Sequence, residues 1–232
     1  MMLVIVPAFN EEKALPGTLA ELLRLYPRAQ VLVVNDGSAD GTSAVARRAG
    51  VRVVDLPVNM GIGVAMQTGY RFAREHGFSR AVQCDGDGQH PPAQIAVLEE
   101  TMDRTGSAMV IGSRFVESGK EGFKSLFMRR QVIRFFSRWI LLLCGVRVYD
   151  VTSGFRLVNE KAIAIFARDY PFDYPEPEAI VLLSRHGLAV AEAPVAMRER
   201  QGGVSSIGFF SGIYYVVKVS IGLLVTRLRS MR

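Results

Sequence analysis

The chain has 232 residues, 49% of them hydrophobic and 22% charged, with two cysteines and a formal net charge of +6. That apolar content, free of low-complexity tracts, excludes a disordered chain and is enough to bury a sizeable core. Cys84 and Cys144 lie far apart in apolar surroundings without CxxC spacing, which excludes a disulfide scaffold and fits reduced thiols in a cytosolic setting.

Residues 2–6 are a continuous apolar run ending at Pro7, the pattern of a strand buried on both faces. The run has no basic flank or cleavage site, so no secretory leader is expected. Residues 12–26 carry Leu15, Leu19, Leu22 and Leu23 at helical spacing, and Pro27 stops them. A second strand is expected at 31–34, a helix at 42–49 with Asp40 as its cap, and a third strand at 51–56. A helix at 64–75, a strand at 80–84, a helix at 93–102 and a strand at 108–111 follow. Strands and helices alternating at this length predict an α/β fold, with a mostly parallel central sheet and helices on both faces. In such sheets ligands bind beyond the carboxyl ends of the strands.

Those ends are rich in acids, amides and glycine. Asp85-Gly86-Asp87-Gly88-Gln89 places two carboxylates and a neutral amide oxygen at the end of a buried strand. Hard oxygens in that pattern suit Mg²⁺ or Mn²⁺ shared with a nucleotide diphosphate. A calcium loop is excluded, because its twelfth position, counted from Asp85, is Ala96 rather than glutamate. A solvated Asp-Gly turn is the plainer alternative. Asn35-Asp36-Gly37-Ser38 reads either as a turn leading into a helix cap or as a place where Asp36 meets a nucleobase or ribose. Gly61-Ile62-Gly63 is not a dinucleotide fingerprint, since the third glycine position is Met66.

Charge is unevenly placed. Residues 1–100 hold nine Lys or Arg against eleven Asp or Glu, whereas residues 101–232 hold nineteen against eleven. The C-terminal half therefore suits an anionic partner. Nucleic acid is not expected, because no basic recognition helix, zinc finger or aromatic platform is present.

Taken in order, Val6-Pro7-Ala8-Phe9-Asn10-Glu11-Glu12, Asn35-Asp36-Gly37-Ser38-Ala39-Asp40-Gly41-Thr42, Asn59-Met60-Gly61-Ile62-Gly63 and Asp85-Gly86-Asp87-Gly88-Gln89-His90-Pro91 resemble the family 2 glycosyltransferases of the GT-A fold. Gly112-Ser113-Arg114, Asp150-Val151-Thr152-Ser153-Gly154-Phe155-Arg156 and Arg200-Gln201-Gly202-Gly203-Val204-Ser205 are similar to the polyprenyl-phosphate group of that family, the group of the dolichyl-phosphate mannose synthases. The resemblance spans residues 2–205. It implies that Pro7, Phe9, Glu11, Val34, Asp36, Asp85 and Gly86 hold the nucleotide sugar, and that Asp85, Asp87 and Gln89 hold Mg²⁺ or Mn²⁺. Asp87 then belongs to the catalytic set with Arg114 and Arg200, both phosphate ligands. The implied reaction is an inverting transfer of a hexose from a GDP-mannose or UDP-glucose type donor to a dolichyl or undecaprenyl phosphate, at the cytoplasmic face of a membrane.

A lipid phosphate is already a nucleophile, whereas a glycan hydroxyl needs a base. Glu176 and Glu178 stand in the region where hydroxyl-using relatives keep one. Glu178 reads either as a catalytic residue or as a first-turn helix carboxylate. The absence of a Gln-x-x-Arg-Trp motif favours the phosphate acceptor. Residues 114–147 form a basic, aromatic-rich region of the catalytic domain. Its stretch 123–143 reads as a helix lying among lipid headgroups, or as a core helix with a solvated basic face. Arg129, Arg130 and Arg134 there are candidates for the acceptor phosphate. Residues 206–232 are expected to be a separate membrane-associating tail. Within it residues 207–225 contain one charge, Lys218, and read as an in-plane or re-entrant helix rather than a span. Relatives with transmembrane helices after the catalytic domain make a separate membrane partner protein a further expectation.

Overall fold

A computed structural model describes residues 1–115, 127–198 and 209–229. Seven strands, β1 (Met2–Ala8), β2 (Gln30–Asn35), β3 (Arg52–Asp55), β4 (Arg80–Gln83), β5 (Met109–Ser113), β6 (Arg156–Asn159) and β7 (Val190–Pro194), form one sheet in the order β3-β2-β1-β4-β6-β5-β7. Pairing is parallel except along β6, which is antiparallel to both β4 and β5. The eight helices described are α1 (Leu15–Leu25), α2 (Thr42–Arg48), α3 (Ile62–Glu75), α4 (Ile95–Thr105), α5 (Phe127–Cys144), α6 (Glu160–Arg168), α7 (Pro175–Arg185) and α8 (Phe209–Leu228).

Alternation along the buried strands creates two cores. In β1, Val4 and Val6 face one side, where they meet Leu15, Leu19 and Leu22 of α1, Val45 of α2 and Leu98 of α4. Leu3 and Ile5 face the other, with Met66 and Tyr70 of α3, Phe136 of α5, Phe166 of α6 and Ile180 of α7. A side-chain period of two sends each neighbour to the opposite layer. The expected strands are all present, and β1 runs two residues past the expected end. Pro7 sits in register with Val34 without needing a donor N–H. Helix α1 begins later than expected because residues 10–12 are tied to the loop after β2. Asn10 N–H donates to Ser38 Oγ, Glu11 N–H to Thr42 Oγ1 and Glu12 N–H to Asp40 Oδ2, at 2.9, 2.8 and 3.2 Å. Asp40 also accepts from Thr42 N–H at 3.0 Å, so it caps α2 from just outside the helix.

Helix α5 is a core helix with a basic outer face. Ile133, Phe136 and Ile140 join the main core, while Arg130, Arg134 and Arg138 are exposed. The aromatic residues of this region therefore do not all share one surface: Phe136 is fully buried and Phe135 is exposed. Helix α8, which lies within the stretch expected as a separate tail, buries Val219 and Leu223 in the same core. Lys218 pairs with Asp173 at 2.8 Å, and Thr226 donates to Glu178 at 3.1 Å. Among the described residues no helix is long and apolar enough to cross a membrane.

Candidate active site

The carboxyl ends of β1, β2 and β4 open on one side of the sheet, and their loops are fastened to each other. Asp36 is nearly buried, and its two carboxylate oxygens accept the backbone N–H groups of Met60 and Gly61 at 2.7 and 2.9 Å. Gly37 has φ +67°, and a Cβ there would run into the backbone of Val58 and Asn59. The Asn35–Asp36–Gly37 and Asn59–Met60–Gly61 motifs are thus two halves of one locked loop pair. Asp36, expected to face the nucleoside, holds that pair together. Val34, also expected to hold the nucleotide sugar, has its side chain fully buried in the core with Ile5 and Leu32. Phe9 is 44% exposed beside these loops, and Pro7 is buried. Glu11 accepts the first helical N–H, from Leu15, at its carbonyl.

Next to this loop pair lies a polar cleft lined by Gln83, Asp85, Gln89, His90, Arg114, Thr152, Ser153, Gly154 and Glu176, with Ile62 and Met197 at its apolar rim. Gln83 Nε2 donates to Asp85 Oδ1 at 2.9 Å, which aims the carboxylate. His90 is buried, stacks on Phe155 and accepts the Asp85 N–H at Nδ1 (3.1 Å), fixing the turn from behind. Asp87 is 2% exposed and accepts the Gln89 N–H at 2.9 Å. Gly86 is buried, and its carbonyl accepts Thr18 Oγ1. Asp85 and Gln89 line the cleft, with Asp87 between them in the same turn.

These residues fit a divalent cation that keeps waters and diphosphate oxygens in its shell. They offer hard oxygens on one five-residue turn. Among the described residues no group of three or more His, Cys, Asp or Glu side chains forms a closed cage.

Arg114 enters the cleft from the end of β5. Its Nε and Nη2 make a bidentate pair with Asp150, at 2.7 and 2.8 Å, and Asp150 is fully buried. Arg156, 1% exposed, lies under the opposite wall and donates to the carbonyls of Ser153, Glu176 and Val151. Burial pushes the Glu176 carboxyl above the usual range; Arg156 partly offsets this, and the Asp85 charge adds to it.

Glu176 and Glu178 go to different places. Glu176 lines the cleft. Glu178, expected as a catalytic residue, lies against α8, where its Oε1 is close to Gly222 and its Oε2 accepts from Thr226. Burial raises the Glu178 carboxyl, and Thr226 and Lys218 partly counter it. A raised folded-state value means stability that is complete at low pH and is lost as pH rises through that value. The Gln variant keeps an acceptor for Thr226 but has no charge to bury. We expect Glu178→Gln to melt higher than the wild type at neutral pH, with the gap closing near pH 4. Thermal melts across that range check it, and equal melting at neutral pH would refute it.

Arg130 and Arg134 are exposed on α5, and neither lines the described part of the cleft. The Arg129 side chain and Arg200 lie outside the described residues. Neither Asp150 nor Gln83 was given a role from the sequence, although Asp150 stands inside one of its motifs.

The family model for glycosyl transferase family 2 matches residues 3–166. The chain belongs to that family. It is a glycosyltransferase. Its similar relatives include the polyprenol monophosphomannose synthase of Mycolicibacterium smegmatis, 30% identical over 88% of this chain and 80% of the relative. The undecaprenyl-phosphate mannosyltransferase of Micrococcus luteus is 31% identical over 89% of this chain and 87% of the relative. Among solved structures, glucosyl-3-phosphoglycerate synthase from Mycobacterium tuberculosis, crystallised with Mn²⁺ and UDP, matches with a TM-score of 0.67 at 20% identity. That match covers 100% of this glycosyltransferase and 81% of the other chain, and it shows the shared GT-A fold.

Proposed function

We propose that this glycosyltransferase moves a hexose from a nucleotide-diphosphate sugar to a polyprenyl phosphate at the cytoplasmic face of a membrane, with inversion at the anomeric carbon. The observation that carries the reading is the juxtaposition in one cleft of the Asp85–Gln89 turn and the Arg114 guanidinium. Asp85, Asp87 and Gln89 would hold Mg²⁺ or Mn²⁺. When bound, such a cation neutralises charge on the leaving diphosphate. Arg114 presents a planar donor suited to phosphate oxygens, whether on the donor or the acceptor. A single in-line displacement inverts the sugar, and the ionised acceptor phosphate needs no base. Two relatives at 30% and 31% identity carry polyprenol or undecaprenyl phosphate and mannose in their names, so mannose is the first sugar to test.

The membrane part of the reading rests on α8 and α5. On α8, Val217, Ile221, Leu224, Val225 and Leu228 recur at helical spacing and are exposed, on the side away from buried Val219 and Leu223. Leu141 and Leu142 are exposed on α5, along with its arginines. Apolar and cationic groups together suit in-plane contact with an anionic surface. Ile221→Glu is expected to weaken flotation with anionic phospholipid vesicles several-fold while leaving the melting temperature unchanged. Unaltered flotation would remove α8 from the contact.

A second reading, transfer to a glycan hydroxyl, is favoured by the position of Glu176 in the cleft with a raised pKa. One assay separates the two: nucleotide-diphosphate release from GDP-mannose or UDP-glucose with Mg²⁺ or Mn²⁺, with and without farnesyl phosphate. Release that requires the lipid phosphate, stops with chelator and largely survives Glu176→Gln supports the proposal. Release indifferent to lipid, and lowered about 100-fold or more by Glu176→Gln, would replace it with the hydroxyl reading.

A further inference from the structure

Arg114 is one residue past the end of β5, where a long side chain has many rotamers. The structure restrains it in two stages. Asp150 Oδ2 accepts both the backbone N–H and the Nε–H of Arg114, at 3.1 and 2.7 Å, while Oδ1 accepts Nη2–H at 2.8 Å. Asp150 belongs to a connecting segment between α5 and β6, so it needs an anchor as well. Glu192 supplies it from β7, the strand paired with β5. Its Oε1 accepts the Asp150 N–H at 2.8 Å and its Oε2 the Tyr149 N–H at 2.7 Å. Both oxygens of a largely buried carboxylate are thereby used on consecutive backbone donors. Two adjacent N–H groups aimed at one carboxylate form a seat that an amide cannot fill, because its NH₂ would face a donor.

We propose that Asp150 and Glu192 are positioning residues, a two-stage clamp that fixes the Arg114 guanidinium in the cleft for a phosphate group. The proposal rests on the reading of Arg114 as a phosphate ligand. Neither acid is among the residues that line the cleft. A preorganised donor contributes because it does not have to be oriented during reaction, and a small misplacement removes much of that advantage.

Two measurements test the clamp, and the first does not depend on turnover. The Nε–H resonance of Arg114 in ¹⁵N-labelled protein, identified by its loss in Arg114→Lys, should exchange slowly with water. We expect Glu192→Gln to accelerate that exchange on the order of 10-fold and Asp150→Asn to bring it to the rate of exposed arginines. An Nε–H in Glu192→Gln that exchanges at the wild-type rate overturns the proposal. The second is a double-mutant cycle on farnesyl-phosphate-dependent release. Glu192→Gln should lower kcat/KM by roughly 10- to 100-fold in the wild-type background, and by less than about 2-fold in Arg114→Ala. Equal losses in both backgrounds would mean that Glu192 serves only general folding, and would also overturn it. Slow Nε–H exchange lost in both acid variants, in a protein without lipid-dependent release, keeps the clamp and sinks the acceptor reading instead.

Discussion

Asp85→Asn is expected to lower turnover by on the order of 100- to 1000-fold, with little change in melting temperature. Asp85 lines the cleft, and Gln83 and His90 fix it at both its carboxylate and its backbone. An asparagine can keep the hydrogen bond from Gln83 through its carbonyl oxygen, so the turn should survive. Under the proposed function, what is lost is a negative charge that would lie next to the donor diphosphate. Asp85 would help hold a divalent cation there, and its removal would weaken the hold on the leaving group more than the hold on the nucleoside. The variant should therefore lose kcat together with affinity for Mn²⁺, measured by titration of the metal alone against the protein. Wild-type turnover in Asp85→Asn would remove the acidic turn from the chemistry. Unchanged Mn²⁺ affinity with lost turnover would assign Asp85 to the sugar rather than to the metal.

Arg156→Met is expected to destabilise the fold by about 3–5 kcal/mol. Arg156 is among the largest fully buried side chains, and its guanidinium donates to three main-chain carbonyls from two segments, at 2.7, 2.7 and 3.2 Å. Methionine fills similar space and removes the cost of burying a charge. In many buried pairs that relief makes an apolar replacement neutral. Here the partners are fixed backbone acceptors around the 150–154 segment and the start of α7, and they cannot be replaced along with the arginine. Three dry carbonyls outweigh the relief. Urea denaturation measures the loss directly. A midpoint within error of the wild type would show that the carbonyls find water, and that the wall of the cleft stands without Arg156.

The sequence by itself determined the layout of this protein and the side of the sheet that carries its candidate site. Short continuous apolar runs such as 2–6 and 31–34, bounded by turn residues, read as strands covered on both faces, and the acids and amides that follow them point to the strand ends as the place for ligands. The Asp85-Gly86-Asp87-Gly88-Gln89 turn was legible for the same reason: its chemistry is local, within five residues. Strand β6 was not, because four residues inserted antiparallel between β4 and β5 leave no periodicity to read.

Only the tertiary structure decided the individual roles, since those depend on partners far along the chain. Asp36 is captured by N–H groups 24 and 25 residues away, and Arg114 by a carboxylate 36 residues away. Neither pairing leaves a trace in local spacing. Glu176 and Glu178 stand two residues apart in the first turn of α7, about 200° apart around a helix, so one faces the cleft and the other faces α8. Helix α5 shows the same limit at a larger scale. Its amphipathic pattern is plain in the sequence, yet whether Ile133 and Phe136 meet lipid or protein was fixed by the core that packs against them.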